Sequence, residues 1–314
     1  MDGILNIYKE QGFTSHDVVA KLRGILRQKK IGHTGTLDPD ATGVLPVCCG
    51  KATKVCELLT DKEKSYRAVC QLGVETDTQD MTGQVVAESD YKGITKEKLE
   101  ECIFSFQGDI LQIPPMYSAL KVNGKKLYEL AREGKTVERQ PRPVHISAIS
   151  LLDVDLEQGQ FTMDVTCSKG TYIRTLCHDI GQKLGCLAAM KSLVRTRVSV
   201  FSLDEALTLS QVEQLVREEP ERLEEFVHSV DSLFPSYPRL QIRDPFCAKL
   251  ANGNPLLPQF LRQMKSEKEQ MQKTAKESCA GLSEGDNILV YDENGKFKAV
   301  YQKRDRDFRV YKMF

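Results

Sequence analysis

Apolar positions along the chain follow two periods, and each change of period marks an element. ILNIYKEQG reads as a short strand running into a turn at Gly12, after which Val18, Val19, Leu22, Ile25 and Leu26 recur at helical spacing. Thr14 and Asp17 form a capping box at that helix's start. Tyr66, Ala68, Cys70 and Leu72 alternate with Arg67, Val69 and Gln71, and Gly83 closes a return before Val85 and Val86, so this stretch predicts a β-hairpin. A helix capped by Thr95 carries Leu99, Cys102, Ile103 and Phe106 on one side and stops at Gly108. Between Val144 and Cys167 the pattern predicts two strands, the second alternating through Phe161, Met163, Val165 and Cys167. Ile173, Leu176, Cys177, Ile180 and Leu184 then form one helical stripe. KSLVRTRVSVF predicts a strand with Leu193, Arg195 and Arg197 on one face and Val194, Val198 and Val200 around the other. Helices are expected around 203–207 and 211–218, and Phe234 to Pro238 reads as a linker. Beyond Arg239 short strands dominate, with a hairpin signal at Asp292–Gly295 and a polar segment, 262–278, expected to be a mobile loop or insertion.

Charge adds a qualification. Lys and Arg number 44 and so do Asp and Glu, so bulk charge gives no reason to expect a nucleic-acid partner. The basic residues are clustered, however: 23–30, 121–142, the set Lys169, Arg174, Arg195 and Arg197, and 303–312. One cationic face on a neutral protein is enough to hold RNA phosphates. With 28% charged and 40% hydrophobic residues, no apolar run of about 18, and a start without a secretory layout, a soluble cytoplasmic protein is expected. Ten cysteines include no CxxC pair, which argues against structural zinc and for reduced, mostly buried thiols.

Two stretches carry candidate chemistry. In IGHTGTLDPDATGVLPVCCG, Asp38 lies between Leu37 and Pro39 among Gly32, Gly35, Gly43 and Gly50, a composition that predicts a tight, preset loop holding one carboxylate. Its end, GVLPVCCGKATK, does not make a phosphate-binding P-loop, because the glycine spacing is too long and Ala52 follows Lys51. Asp40 is expected to face solvent. The second stretch, residues 111–143, interleaves Lys121, Lys125, Lys126, Arg132, Lys135 and Arg139 with Tyr117 and Tyr128. Pro114 and Pro115 exclude a helix, Asn123–Gly124 signals a turn, and a short helix through Leu127, Tyr128, Leu130 and Ala131 should end at Gly134. Cations for phosphates and rings for bases suit a grip on RNA. Arg174, in the first turn of its helix, faces the positive end of the helix dipole and calls for an anionic partner.

These stretches are similar to motifs of the TruB family of pseudouridine synthases. The loop resembles GHTGxLDPxATGxLP, residues 114–134 resemble PPxYSAxKxxGxxLYExARxG, and SKGTYIR at 168–174 matches as it stands. Lys9, Gly12, Thr14 and Ser15 fit the family's Lys-Pro-x-Gly-x-Thr-Ser pattern, with Glu10 where proline is usual. The resemblance implies an α+β fold: a mixed, mainly antiparallel sheet with flanking helices over residues 1–238, then a small β-rich, PUA-like RNA-binding domain over 239–314. It implies that Asp38 is catalytic and paired with Arg174, that Tyr66 lines the site and that Leu193 packs on the target base. The 111–143 insertion would fold over the stem-loop of tRNA.

The implied reaction isomerises uridine 55 in the T-loop of tRNA and needs no cofactor or metal. A base in a structured loop must first be flipped out; Tyr66, Tyr172 and Leu193 are the candidates to sandwich it, and His33 to fill its place. Lys121, Lys125, Lys126, Arg132, Lys169, Arg195 and Arg197 are the expected RNA-backbone contacts. Whether Asp38 attacks C1′ or C6, or assists removal of the 2′ proton, stays open at this point. The insertion favours a monomer acting without guide RNA or obligatory protein partner over the guide-RNA-dependent branch, and a tRNA-folding role is compatible with catalysis. A glycosidase would need a second positioned carboxylate, and no motif supplies one.

Overall fold

The computed structural model describes residues 1–122, 124–264 and 281–314. It divides into two compact units, Gly3–Val227 and His228–Phe314, a division earlier than the expected boundary at 238.

In the first unit the strands are β1 (Gly3–Lys9), β2 (Ile31–His33), β3 (Thr42–Cys49), β4 (Lys64–Leu72), β5 (Val74–Thr76), β6 (Val85–Glu88), β7 (Gly108–Gln112), β8 (Lys121–Val122), β9 (Lys125–Lys126), β10 (Arg142–Asp155), β11 (Gln160–Cys167), β12 (Ala188–Val198) and β13 (Phe201–Ser202). The helices are α1 (Ser15–Ile25), α2 (Cys56–Thr60), α3 (Lys96–Phe104), α4 (Leu127–Arg132), α5 (Ile173–Leu184), α6 (Leu209–Glu218) and α7 (Pro220–Leu223). The main sheet runs β1-β3-β12-β4-β11-β10-β7, with β2 on β3 and β13 on β12. Its pairings along that path are antiparallel except β12 with β3, which is parallel and sets Val194 against Thr42 and Arg195 against Gly43. That one parallel join brings the end of the Asp38 loop against β12.

Capping and periodicity explain the elements. Thr14 Oγ1 accepts the Asp17 N–H at 3.1 Å while Asp17 accepts the Thr14 N–H at 2.8 Å, which fixes the start of α1. α1 buries Val18, Val19 and Leu22 against Leu5, Ile7, Leu45 and Val47 of the sheet. On the other side of the chain's core, α3 and α5 bury Leu99, Ile103, Leu176 and Ile180 with Ala68, Phe161, Met163 and Val165. Each such large side chain contributes about 1.5–3 kcal/mol on leaving water. α5 ends on Gly185 at φ +74°, a left-handed cap that glycine adopts without strain.

Several expectations need correction. β4 is not half of a hairpin: it pairs with β11 and β12, and the hairpin is β5 with β6. Both edges of β4 are in demand, so the chain leaves the sheet at Gly73 (φ +83°) to make that turn. α3 ends at Phe104, and Gly108 instead opens β7. Val200 falls beyond β12 and is exposed, and 203–207 holds a single 3₁₀ turn, Leu203–Glu205. Asn123 lies outside the described residues, although Gly124 has the φ of +83° that a tight turn uses. Of the polar segment, 262–263 extend the strand Leu261–Gln263, and 265–278 lie outside the described residues.

The second unit is a five-stranded sheet in the order Leu261–Gln263, Arg239–Ile242, Asn287–Tyr291, Phe297–Arg304, Asp307–Met313. Leu240, Ile242, Ile288, Val290, Tyr301 and Phe308 form its core. Phe234, placed in the expected linker, is buried and stacks on Tyr237 at 5.0 Å. Buried Asp231 accepts a 2.7 Å hydrogen bond from the Tyr291 hydroxyl. Among the described residues, no helix is long and apolar enough to cross a membrane.

Candidate active site

The Asp38 loop is braced from beneath by a lysine with no exposed surface. Lys9 Nζ, at the end of β1, donates to the carbonyls of Pro39 (2.9 Å), Ala41 (2.6 Å) and Glu10 (3.1 Å). Burial, above all, pushes its ammonium down to about 8. The Gly12 N–H donates to Pro39 O at 3.0 Å, the Ala41 N–H closes a turn onto Asp38 O at 3.1 Å, and Ser15 Oγ accepts the Leu37 N–H at 3.0 Å. With Leu37 buried, the loop is held on both sides of Asp38, while Asp40 faces solvent.

Over this loop stands Arg174. Its Nε lies 3.1 Å from Asp38 Oδ2, the guanidinium side chain 7% exposed and the carboxylate side chain 46% exposed. The anion that α5's first turn requires is thus present, and Asp80 adds a second at 3.5 Å from Nη1. The remaining donors reach the carbonyls of Thr78 (3.1 Å) and Tyr117 (2.9 Å), so one side chain joins the loop, the turn after β5 and the start of the insertion. Loss of water raises the Asp38 pKa, and Arg174 is the chief group opposing that rise. Asp80 was missed by sequence reasoning. Its own geometry is fixed by Thr78 Oγ1 (2.7 Å), the Thr82 N–H (3.1 Å) and Thr82 Oγ1 (2.5 Å), all on Oδ1, which leaves Oδ2 to Arg174. The signal available was TDTQDMT, two acids and three hydroxyls at the end of β5 and in the turn that follows it.

Tyr66, Leu193, Leu37 and Ala41 belong to one buried cluster, and the Asp38 charge acts on the phenols of both Tyr66 and Tyr172. Tyr172 caps α5 and is gripped by buried Gln112, which accepts the Tyr172 N–H at 2.8 Å and donates to its carbonyl at 3.0 Å. Gln112, like Asp80, carried no motif. His33 ends β2 at the far side of the loop, its Nδ1 accepting the Gly35 N–H at 3.3 Å and its ring meeting His16 edge-on at 5.1 Å. Burial, then the neighbouring His16, lower its pKa and favour the neutral ring.

Arg195 is a correction. Expected to contact RNA backbone, it is 1% exposed, with Nε donating to Val44 O at 2.7 Å and Nη1 to Thr36 O at 3.4 Å. Its charge also opposes the rise that burial gives the Tyr66 phenol. The strand alternation put it on the face of Leu193, and that face is covered by the Asp38 loop. Gly43 allows this: at φ +104°, a Cβ there would lie 2.2 Å from Arg195 O.

The other expected backbone contacts are accessible. Lys121 is exposed, Lys125 pairs with Glu133 at 3.4 Å, and Lys126 Nζ lies 3.2 Å from the Tyr128 hydroxyl. Arg132 packs over the Tyr128 ring at 5.4 Å. Lys169 pairs with Asp61 at 2.7 Å in solvent, and half-buried Arg197 donates to Ser199 O at 3.2 Å.

Residues 23–173 match the family model described as TruB family pseudouridylate synthase, N-terminal domain, and residues 174–235 match the tRNA pseudouridylate synthase B C-terminal domain. A protein named tRNA pseudouridine synthase B from Lachnoclostridium phytofermentans is 49% identical over 322 aligned residues that cover all of both chains. One of the same name from Clostridium perfringens is 41% identical over 313 residues, covering 100% of this chain and 99% of that one. Among solved structures, a Cbf5-Nop10-Gar1 complex contains a chain 25% identical with a TM-score of 0.71, covering 99% of this chain and 84% of that one. An H/ACA RNP bound to a substrate RNA containing 2′-deoxyuridine gives 24% and 0.72 over the same shares, which supports the fold. With its signature loop, its buried arginine and these matches along the whole chain, the protein belongs to the TruB family of pseudouridine synthases.

Proposed function

We propose that this chain converts uridine 55, in the T-loop of tRNA, to pseudouridine, with Asp38 as the nucleophile. The observation that carries the reading is the Asp38 carboxylate, half exposed on a braced loop and 3.1 Å from a buried guanidinium. The target base leaves the loop stack and enters between Tyr66, Leu193 and Tyr172, while His33 takes its place in the RNA. Asp38 assists separation of uracil from the ribose. The C1′–N1 bond breaks, the base turns, C1′ bonds to C5, the C5 hydrogen leaves to solvent as a proton and N1 gains one. Arg174 holds the carboxylate ionised and aimed. Tyr117, tied to Arg174 through its carbonyl, connects the 111–143 insertion to the same centre, so RNA gripped by Lys121, Lys125, Lys126 and Arg132 is coupled to the site. Residues 239–314 serve as an RNA-binding module, and the enzyme works in the cytoplasm as a monomer without guide RNA or partner protein.

Tritium release from tRNA labelled at C5 of uridine tests this. Purified wild type alone is expected to release the label, and Asp38→Asn to bind tRNA and release none. Retained release by Asp38→Asn would overturn the nucleophile; silence of the wild type would overturn the stand-alone reading.

A further inference from the structure

Between α1 and β2 lies a cavity of about 520 Å3 lined by His16, Arg23, Lys29, Lys30, His33 and Thr53, among others. No carboxylate lines it. A second cavity, of about 580 Å3 beside α3 and α5, makes the contrast: there Asp90 and Glu101 face Lys98 and Lys183, and no sign of charge prevails. In the first, three cationic side chains and two imidazoles surround the space, and a low-dielectric wall formed by Val19 and Ile31 concentrates their field. Its shape is fixed. Arg23 Nη2 donates to Ile31 O at 3.1 Å, tying α1 to β2, and the His16 and His33 rings, both in the lining, meet edge-on at 5.1 Å. Gly32 keeps the floor low, since a Cβ there would touch Cys56 Sγ at 3.4 Å. Lys29 and Lys30 stand at the rim, Lys30 exposed.

We propose that this cavity is an anion seat for the substrate strand and takes a phosphodiester next to the flipped nucleotide. The inference rests on the proposed function, because it uses His33 as the residue that replaces the flipped base. An RNA strand passing His33 must carry its next phosphate past the ring. Lys29, Lys30 and Arg23 neutralise it there. The seat anchors the backbone on one side of the opened loop while the 111–143 insertion holds the other strand region, so the strand cannot relax and return the base to its stack.

The test is tRNA binding by the full chain between 50 and 200 mM salt, comparing wild type with the double variant Lys29→Gln, Lys30→Gln. Depriving the one seated phosphate of its cations should flatten the plot of log affinity against log salt by about 0.7–0.9, with affinity about tenfold weaker. In a second arm, the tRNA carries a neutral methylphosphonate at the phosphate 3′ to the target uridine. Wild type should bind it more weakly than normal tRNA, and the double variant should show no further loss. An unchanged salt slope, or equal sensitivity of both proteins to the methylphosphonate, would overturn the proposal. If inorganic phosphate protects wild type but not the variant from thermal unfolding while tRNA binding is equal, the cavity is a free-anion site and the proposal falls. Binding is read apart from tritium release, so a wild type that binds with the steep slope yet releases no label would sink the isomerase reading and leave the seat standing.

Discussion

Two buried arginines face the Asp38 loop from different regions, and they solve opposite problems. Arg174, at the start of α5, meets two carboxylates, Asp38 at 3.1 Å and Asp80 at 3.5 Å. Arg195, on β12, is buried more deeply and meets the Val44 and Thr36 carbonyls. The first balances the charge of Asp38 and Asp80, and its removal leaves both carboxylates without that partner. The second spans the loop from Thr36 to Val44 with directional donors, so its contribution is geometric. A guanidinium suits both tasks because it presents five donors in a rigid plane and keeps its charge when desolvated.

The comparison is broken most directly at Arg174. Arg174→Ala should slow single-turnover tritium release by about 10²- to 10³-fold, the equivalent of about 3–4 kcal/mol, in line with the cost of breaking a buried pair. Its acid limb should also move to higher pH, because Arg174 is the chief group holding Asp38's raised pKa in check. Ordinary turnover in that variant would remove the ion pair from the mechanism.

A smaller effect is expected on the other side. Arg195→Met loses the bonds to Val44 and Thr36, at about 1 kcal/mol each, but also relieves the burial of a cation that no carboxylate compensates. Its melting temperature should stay near wild type while turnover falls about tenfold, through a loop that has lost its inner tie. Inactivity as deep as that of Arg174→Ala would mean that the Arg195 charge, and not its geometry, serves the reaction.

The smallest effect concerns Lys9, the third buried cation of the loop. With its pKa lowered from 10.5 to about 8, the folded protein binds fewer protons than the unfolded chain between those values, so stability rises with pH across that window. Urea unfolding should show a slope for wild type that exceeds that of Lys9→Met by at most about 1.4 kcal/mol per pH unit. Lys64, lowered likewise, is present in both and cancels. Equal slopes would mean that Lys9 titrates as it does in water.

Much of the site was legible because it is written in short, local motifs. Lys9, Asp38, Tyr172 and Arg174 sit in segments whose glycines, prolines and caps state their own backbone geometry, and the demand of α5 for an anion could be read from one position. Asp80 and Gln112 escaped because each acts across the chain, Asp80 on Arg174 and Gln112 on Tyr172, and neither separation leaves a periodic trace.

By itself the sequence determined the elements with a complete period or cap: α1 with its box, the alternating β4 and β11, α5 with its apolar stripe, and the preset Asp38 loop. It also carried the family motifs. Tertiary structure alone decided which face of β12 the loop covers, and with it whether Arg195 meets solvent or carbonyls. The physical reason is that strand alternation assigns a side, while burial depends on what packs on that side. Here this is set by one parallel join, Arg195 against Gly43, possible because glycine places no atom where the Arg195 backbone must lie.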